Sequence, residues 1–419
     1  MDTIHIQGGV SLQGKIKVQG SKNASLPILA SVLMTEGESV IRNVPKISDV
    51  ERMLKILACM GCKIRIFGNE IQIENKHLTQ AKWPEDAVKG MRSSVYMLGA
   101  LLGRYRSVSI QYPGGCVIGE RPIDLHIKAL EQMGAVFSYK DDIIYGIAPD
   151  GLYGANICLE FPSVGATENV ILGAVLAKGC TILDGAAKEP EVVTLCRYLN
   201  DCGAKIAGMG SETIIIQGVS ELKGCNFYIP GDRIVAGTYL MMSALTAGCV
   251  YLEDTPVHEM EAVMKLLRRC GCECFDVDHG VYLQAPKKLE TIGTLATEVY
   301  PGFPTDLQSM AMVLALENDG VTDIEENIFE NRFHIVPQLQ RMGADIQVLD
   351  SRHVRIMGGK MLRGCDVEAR ELRGGAALVA AGLMSFGKTK VRGCDYIDRG
   401  YENICRDLRE LGARIYRDK

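Results

Sequence analysis

The sequence predicts an α/β protein with two domains, each built from three copies of one repeated unit. Three observations lead to this prediction. A glycine recurs every 68 to 73 residues, each of these glycines follows an amphipathic helical pattern, and two alternating strand patterns come after it. A chain of 419 residues is also longer than a single ordinary hydrophobic core supports. The recurring glycines are Gly61, Gly134, Gly203, Gly271, Gly343 and Gly412.

The first copy shows the parts that every copy contains. A helix rich in small and apolar residues is predicted over 26–34, and a short strand over 39–44. An amphipathic second helix is predicted over 49–60, ending at the recurring glycine. Two strands, 64–67 and 71–73, complete the unit. Six copies of this order are hard to reach by chance.

The two ends of the chain are predicted to belong to one repeat. The sixth copy has only the strand 414–416 after its glycine, whereas residues 3–8 match the pattern of residues 213–218 in a complete copy. We therefore expect the start of the chain to complete the last repeat. The predicted domains are residues 22–230, and residues 1–21 together with 231–419, so the second domain is discontinuous.

Composition limits the class of protein. The net charge of −5 at pH 7 argues against a protein held to nucleic acid by bulk charge. No apolar run is long enough to span a membrane, and no signal peptide is recognisable. Fifteen cysteines without a disulfide pattern predict a reduced, cytoplasmic protein. The pair Cys59/Cys62 and the alternating Cys270, Cys272 and Cys274 are interpreted as buried apolar residues rather than as a zinc site.

Residues 114–127 form the stretch with the clearest chemical character. They lie between a predicted strand, 108–111, and a predicted helix, 124–133, and contain three glycines, Cys116 and Arg121. A thiol beside a guanidinium group loses its proton more easily, which makes Cys116 a candidate acid or nucleophile. An ordinary mobile turn between strand and helix fits the same residues.

Basic residues recur where the first helix of a repeat begins, and others precede second helices. Helix N-termini present unpaired N–H groups and a partial positive charge, both of which favour anions. Each basic residue taken singly also fits helix capping or a solvated surface charge. Together they predict a cleft between the two domains that binds phosphate or carboxylate groups. These residues are Lys22, Arg92, Arg121, Arg233, Arg332, Arg373 and Arg399.

Asp306 is the acidic exception among these helix starts. A carboxylate near basic residues at a helix N-terminus should stay ionised at neutral pH. The segment 304–306 fits a simple helix cap. The same carboxylate could equally accept a proton from a substrate hydroxyl.

Seven motifs spread over the whole chain resemble the UDP-N-acetylglucosamine 1-carboxyvinyltransferases, a branch of the enolpyruvyl transferase family. The related enolpyruvyl-shikimate-phosphate synthases would share the repeats and the Gly-Ser-Lys start, but are not expected to carry Asn23, the cysteine loop or the 121–125 run. The motifs are GSKNA (20–24), GCVIG (115–119), RPIDLH (121–126), SVGAT (163–167), PTD (304–306), FENRF (329–333) and DRGYE (398–402).

The resemblance implies an inside-out α/β barrel in each domain, with inner helices surrounded by sheets. It also implies the committed step of peptidoglycan synthesis, in which the enolpyruvyl group of phosphoenolpyruvate moves to the 3′-hydroxyl of UDP-N-acetylglucosamine. The reaction is expected to proceed by addition and elimination through a tetrahedral ketal, with no metal or organic cofactor. Neither nucleic acid, membrane insertion nor an obligatory protein partner is expected, and the phosphonate epoxide fosfomycin is the implied inhibitor.

The resemblance also implies roles for individual residues. Lys22, Arg121 and Arg399 would hold the phosphate of phosphoenolpyruvate, and Arg332 and Arg373 would lie near its carboxylate. Asn23 would contact the tetrahedral intermediate, Asp306 would be the base at the sugar hydroxyl, and Cys116 would protonate C3 or assist product release. The residues expected to line the UDP-sugar are Arg92, Arg121, Pro122, Ile123, Asp124, Leu125, Ser163, Val164, Gly165, Asp306 and Ile328.

Three positions depart from the pattern of the family. Phe161 stands where some members have lysine, Val235 where many have glutamate, and Glu371 where an aspartate is expected. None of the three removes a residue assigned to the chemistry. Two other functions fit parts of the pattern: an enolpyruvyl transferase with another acceptor, and a catalytically silent paralogue that binds the UDP-sugar.

Overall fold

The computed structural model describes residues 2–75, 92–112 and 123–418. Within these residues the chain is α/β, with short strands gathered into several separate sheets. The α-helices are α1 (Lys22–Ser31), α2 (Ser48–Cys59), α3 (Met97–Tyr105), α4 (Asp124–Gln132), α5 (Val164–Ala174), α6 (Pro190–Asp201), α7 (Arg233–Leu245), α8 (Glu261–Arg269), α9 (Gln308–Glu317), α10 (Val336–Arg341), α11 (Leu372–Met384), α12 (Cys394–Ile397) and α13 (Ile404–Glu410).

The strands are two to six residues long. They are β1 (Thr3–Gln7), β2 (Gln13–Lys17), β3 (Thr35–Glu36), β4 (Glu38–Arg42), β5 (Lys63–Phe67), β6 (Glu70–Glu74), β7 (Ser107–Gln111), β8 (Val136–Lys140), β9 (Ile143–Ile147), β10 (Asn156–Cys158), β11 (Cys180–Asp184), β12 (Lys205–Ala207), β13 (Thr213–Gln217), β14 (Leu222–Lys223), β15 (Asn226–Tyr228), β16 (Cys249–Glu253), β17 (Glu273–Val277), β18 (Gly280–Gln284), β19 (Thr294–Thr297), β20 (Val321–Glu326), β21 (Asp345–Val348), β22 (His353–Met357), β23 (Asp366–Glu368), β24 (Lys388–Arg392) and β25 (Arg414–Asp418). Short 3₁₀ turns lie at Val32–Met34, Arg92–Tyr96, Val257–Glu259, Thr305–Leu307 and Phe333–Ile335.

The described residues divide into two compact units. The first unit comprises the described residues between 20 and 230, and the second comprises residues 2–19 and 231–418. Each unit has its own buried apolar core.

The first unit contains two four-stranded sheets, β15-β4-β6-β5 and β10-β11-β13-β12. It also contains the three described strands β7-β9-β8 and the short pair β14-β3. In both four-stranded sheets the first two strands are parallel and the remaining neighbours are antiparallel.

The second unit repeats that pattern in three sheets. Their orders are β2-β16-β18-β17, β19-β20-β22-β21 and β23-β24-β1-β25. Each again starts with a parallel pair and continues with antiparallel neighbours.

The beginning and the end of the chain meet in one sheet. Strand β1 lies between β24 and β25, so that Thr3 pairs with both Arg392 and Asp418. This confirms the prediction that the start of the chain completes the last repeat.

The recurring glycines end helices as predicted. All six have φ between +87° and +103°, a conformation that glycine adopts without the steric cost of a Cβ atom. After α2, for example, Gly61 has φ of +98° and donates its N–H to the carbonyl of Ala58.

The helices are of two kinds. In α1, every residue from Ala24 to Ser31 is buried, as expected for a helix surrounded by other elements. In α2, only one face is buried, which places this helix at the surface of the unit. Helix α1 begins at Lys22, four residues earlier than the predicted 26–34, because Ser21 caps it by accepting a hydrogen bond from the Ala24 N–H.

The cysteine interpretation is confirmed at four positions and wrong at one. Cys62, Cys270, Cys272 and Cys274 are buried, whereas Cys59 is exposed on the outer face of α2. Burial raises the pKa of Cys62 and of Cys272 to about 12, which keeps both thiols protonated and unreactive. Among the described residues there is no group of three metal-ligating side chains.

Across residues 2–75, 92–112 and 123–418, none of the helices is both long and apolar enough to cross a membrane.

Candidate active site

In the second unit, Asp306 lies together with two other predicted residues, Arg332 and Arg373. Asp306 lies in the 3₁₀ turn Thr305–Leu307, which leads into α9. Arg332 immediately precedes the turn Phe333–Ile335, and Arg373 is the second residue of α11. Three separate chain segments therefore supply one carboxylate and two guanidinium groups.

The carboxylate of Asp306 accepts hydrogen bonds from both arginines. Arg332 Nη2 lies 2.8 Å from Oδ1, and Arg373 contributes Nη2 at 3.0 Å and Nε at 3.2 Å from Oδ2. The two guanidinium side chains are only 2% and 5% exposed, whereas the Asp306 side chain is 27% exposed. The Asp306 carboxylate is therefore paired with two guanidinium groups, which a simple helix cap does not require.

Both arginines keep buried donors that nothing in the described structure uses. Nε and Nη1 of Arg332 and Nη1 of Arg373 are buried and make no hydrogen bond to any described residue. A buried charged donor without a partner is costly, so these groups require a partner from outside the described residues, such as water, an ion or a ligand. Guanidinium donors suit the oxygen atoms of a carboxylate or phosphate.

The surroundings of Arg373 keep it charged. Burial is the largest single influence and acts to lower the pKa of Arg373, but Asp306, Tyr401 and Asp232 together outweigh it, so the pKa is raised. The Arg373 guanidinium lies 6.0 Å from the ring centre of Tyr401, whose hydroxyl is 2.9 Å from Thr238 Oγ1. Burial in turn raises the pKa of Tyr401, so its hydroxyl stays neutral.

Glu326 organises the backbone beside this cluster, and the sequence analysis missed it. Its Oε1 accepts hydrogen bonds from Thr305 Oγ1 at 2.8 Å, Ile328 N at 2.9 Å and Phe329 N at 3.0 Å. The carboxylate thereby ties the Asp306 turn to the segment that carries Ile328. Ile328 itself is half-buried.

Two departures from the family pattern lie at helix starts. Glu371 caps α11, because its carboxylate accepts hydrogen bonds from the N–H groups of Arg373, at 2.7 Å, and Gly374. Val235 is buried in α7, and its N–H donates to the capping Asp232 at 3.0 Å. Both helix starts are therefore capped.

Arg399 follows α12 and is half-buried. Its backbone N–H lies 3.3 Å from the carbonyl of Tyr396. The preceding Asp398 is held by Arg417, which fixes the turn in which Arg399 lies.

In the first unit, Lys22 opens α1 and is paired with Asp49 at the start of α2. The distance from Nζ to Asp49 Oδ2 is 3.2 Å, and Arg52 Nη1 lies 3.6 Å from Oδ1. The Asp49 side chain is 2% exposed, whereas Lys22 is 14% and Arg52 33% exposed. Asn23, the next residue of α1, is half-buried. The sequence did not reveal Asp49, since an acidic residue in a first helical turn is common.

The N-terminus of α5 carries the predicted Ser163, Val164 and Gly165, all half-buried. Ser163 caps the helix by accepting a hydrogen bond from Ala166 N at 3.3 Å. Gly165 packs on the buried His126, and a Cβ at this glycine would come within 2.9 Å of the imidazole ring. The backbone here has no room for a larger residue.

The imidazole of His126 is held by Asn169 from the next turn of α5. Asn169 Nδ2 lies 2.8 Å from His126 Nδ1, and its Oδ1 accepts the Gly99 N–H at 2.8 Å. This network joins α3, α4 and α5 beneath the predicted nucleotide-binding residues.

The remaining predicted contacts differ in exposure. Ile123 is buried in the core, so a ligand would meet its backbone rather than its side chain. Asp124 is exposed and Leu125 half-buried at the start of α4, and Phe161 is 44% exposed.

Several predictions fall outside the described residues. These are Cys116, Arg121 and Pro122, together with the side chain of Arg92.

The chain is similar to known enolpyruvyl transferases over its full length. The family profile described as EPSP synthase (3-phosphoshikimate 1-carboxyvinyltransferase) matches residues 6–408. A UDP-N-acetylglucosamine 1-carboxyvinyltransferase of Oleidesulfovibrio alaskensis is 44% identical over 417 residues, covering 100% of this chain and 99% of the relative. UDP-N-acetylglucosamine 1-carboxyvinyltransferase 2 of Caldanaerobacter subterraneus is 41% identical over 419 residues, covering 100% of both chains.

Solved structures agree on the fold. The enolpyruvyl transferase NikO from Streptomyces tendae superimposes with a TM-score of 0.90 at 24% identity, covering 100% of this chain and 99% of that one. An EPSP synthase from Acinetobacter baumannii gives a TM-score of 0.76 at 18% identity, covering 100% of both chains.

Proposed function

The chain belongs to the enolpyruvyl transferase family and, within it, to the UDP-N-acetylglucosamine 1-carboxyvinyltransferases, and from that premise we propose that it transfers the enolpyruvyl group of phosphoenolpyruvate to UDP-N-acetylglucosamine with release of phosphate. The observation that carries the proposal is the group of buried, unpartnered guanidinium donors beside Asp306. Such donors fit a small substrate rich in negative charge.

We propose that Arg332 and Arg373 bind the carboxylate of phosphoenolpyruvate, and that Lys22, Arg121 and Arg399 bind its phosphate. Fixed positive groups stabilise the charge that moves during the reaction at no cost of reorganisation. Lys22 is already oriented by the buried Asp49, and Asn23 follows it on α1 to contact the intermediate.

Asp306 is the proposed base. It takes the proton of the sugar 3′-hydroxyl while the oxygen forms a bond to C2 of phosphoenolpyruvate. Its two arginine partners keep the carboxylate in place, and its 27% exposure leaves it accessible to a substrate hydroxyl.

Cys116 is the proposed acid. C3 gains a proton as the C2–O bond forms, which gives a tetrahedral ketal. C3 then loses a proton, the bond from C2 to the phosphate oxygen breaks, and phosphate leaves. A carboxylic acid can also give up this proton, so Cys116→Asp should keep activity, whereas the hydroxyl of Cys116→Ser is too weak an acid.

The proposed UDP-sugar contacts are the helix starts of the first unit and the segment at Ile328. Ser163, Val164 and Gly165 lie at a capped helix N-terminus, which favours the diphosphate. The other proposed contacts are Arg92, Arg121, Pro122, Ile123, Asp124, Leu125 and Asp306.

The finer architecture and cellular role are part of the same proposal. Each unit is an inside-out barrel of three repeats; the buried α1 and α11, and the likeness to NikO, support this. The enzyme acts in the cytoplasm in peptidoglycan synthesis, and fosfomycin alkylates Cys116.

Phosphate release tests the proposal. Purified protein should release phosphate only when phosphoenolpyruvate and UDP-N-acetylglucosamine are both present, with one UDP-sugar consumed per phosphate. Replacing the acceptor by 3-phosphoshikimate should give no release. Release with that acceptor, or with phosphoenolpyruvate alone, would assign a different activity; no release under any condition would favour a silent binding protein.

A further inference from the structure

Two cysteines of the first unit, Cys202 and Cys225, bring their sulfur atoms together. Cys202 directly follows the last residue of α6, and Cys225 lies between β14 and β15. The two Sγ atoms are 3.4 Å apart, although 23 residues separate them in the chain. The proposed function uses neither thiol.

The backbone holds both residues in this position. The Lys223 N–H donates to the carbonyl of Cys202 at 2.8 Å, which fixes the segment before Cys225 against the end of α6. The Val40 N–H donates to the carbonyl of Cys225 at 2.9 Å, which fixes the other side against β4. A bond between the sulfurs requires about 2.05 Å, so they must approach by only about 1.4 Å.

The two thiols differ in environment. Cys202 is 3% exposed, whereas Cys225 is half-buried and can meet a small solute. The Cys202 S–H donates to Cys225, and this hydrogen bond lowers the pKa of Cys225 more than partial burial raises it. The same interaction and burial raise the pKa of Cys202. Cys225 is thus the thiol suited to attack an oxidant first, and Cys202 is the thiol suited to attack the oxidised Cys225 sulfur afterwards.

We propose that Cys202 and Cys225 form a dithiol that small hydroperoxides oxidise to a reversible disulfide. The Cys225 thiolate attacks the peroxide oxygen, giving a sulfenic acid and, after protonation, water or an alcohol. The Cys202 thiol then attacks the Cys225 sulfur, forming the S–S bond and releasing water. Overall two thiols lose two electrons and two protons, and the peroxide is reduced. A dithiol reductant returns the pair to its starting state.

Two other described cysteines of the first unit, Cys196 and Cys180, lack this combination. Cys196, on α6 one turn or more before the pair, is buried, and burial raises its pKa to about 12. Cys180 is exposed, but its thiol lies 3.9 Å from a backbone carbonyl oxygen, that of Thr181, rather than beside a second sulfur. Cys196 therefore serves as the control for a buried thiol, and Cys180 as the control for an exposed thiol.

The test oxidises the full-length folded protein with hydrogen peroxide, blocks free thiols with N-ethylmaleimide and maps tryptic peptides without reduction. Trypsin places Cys202 in residues 198–205 and Cys225 in residues 224–233, each with no other cysteine. The expected product is these two peptides joined, about 2 Da lighter than their sum and separated again by dithiothreitol. Its formation should be at least roughly tenfold faster than oxidation of Cys180, and Cys196 should stay reduced.

Two variants test the order of events. In Cys202→Ser, Cys225 should accumulate as a sulfenic acid that dimedone labels; in Cys225→Ser, Cys202 should stay a thiol. Protein unfolded in urea before oxidation should lose the preference for this pair. Absence of the joined peptide from folded protein, equal pairing in urea, or dimedone labelling of Cys202 in Cys225→Ser would each overturn the proposal.

Discussion

The two units each hold one carboxylate between two cations, but with opposite exposure. In the second unit the cations are buried, with Arg332 and Arg373 only 2% and 5% exposed, and the acid Asp306 is 27% exposed. In the first unit the acid Asp49 is 2% exposed, and the cations Lys22 and Arg52 are 14% and 33% exposed. In one cluster the carboxylate is thus the accessible group, and in the other the cations are, which fits the proposed roles of Asp306 as base and of Lys22 as a phosphate ligand.

The largest effect is expected from Asp306→Asn. This change keeps the shape but removes the base, so kcat should fall by roughly 10²–10⁴. Affinity for UDP-N-acetylglucosamine, measured by calorimetry, should change far less. The control is Asp323→Asn, a surface carboxylate paired with Arg355 in the same unit, which should leave kcat unchanged. Near-normal turnover in Asp306→Asn would reduce Asp306 to a structural role.

Arg332→Lys should have the next largest effect. Lysine keeps the charge but cannot supply the parallel donors that Arg332 leaves unused, so KM for phosphoenolpyruvate should rise roughly 10–100-fold. The matched control, Arg355→Lys, alters an exposed arginine and should leave KM unchanged. If both variants behave alike, the buried donors do not bind substrate.

Asp49→Asn tests the carboxylate of the first-unit cluster. Losing the carboxylate frees Lys22 to move, so KM for phosphoenolpyruvate should rise about 3–10-fold, with kcat little changed. Glu36→Gln is the control, because Glu36 is exposed and pairs with Arg104. A larger fall in kcat than rise in KM would mean that Asp49 acts in catalysis and does not merely position Lys22.

The smallest expected effect is a change in the pH dependence of stability, and it concerns Glu168, a fully buried carboxyl of α5. Burial raises the pKa of Glu168 well above its ordinary value of 4.5, more than the Tyr96 hydroxyl lowers it. The folded state therefore holds a proton that the unfolded chain releases above about pH 4.5, and stability falls as pH rises beyond that point.

Glu168→Gln removes this titration. Its melting temperature relative to the parent protein should rise between pH 5 and pH 8, by a few degrees. Glu160→Gln, on the surface, should follow the parent protein at both pH values. A constant difference between Glu168→Gln and parent would show that Glu168 does not titrate in this range.

Periodic features of the fold could be predicted from the sequence because they depend on local chemistry. Each recurring glycine sits where the backbone needs a positive φ, and Thr3–Gln7 has the strand pattern that fits between β24 and β25. The interpretation of Cys59 as buried was wrong: it rested on the position of this residue beside the helix-end Gly61, whereas the side of α2 that carries Cys59 faces solvent.

The partners within the site could not be predicted, because they are distant in sequence. Asp306 and Arg373 were both singled out, but nothing local to either of them shows that they pair across 67 residues. Glu326 did leave a signal: it alternates with Thr322 and Ile324 on the inward face of β20, where a carboxylate needs partners.

Deuterium incorporation tests the central claim, transfer by addition and elimination, most directly. The protein is incubated with phosphoenolpyruvate and UDP-N-acetylglucosamine in D₂O, and the product is examined by proton NMR and mass spectrometry. Addition places a solvent deuteron on C3 and elimination removes one of its hydrogens, so the enolpyruvyl product should carry deuterium in its vinyl group. Formation of product whose vinyl group carries only protium would contradict the mechanism.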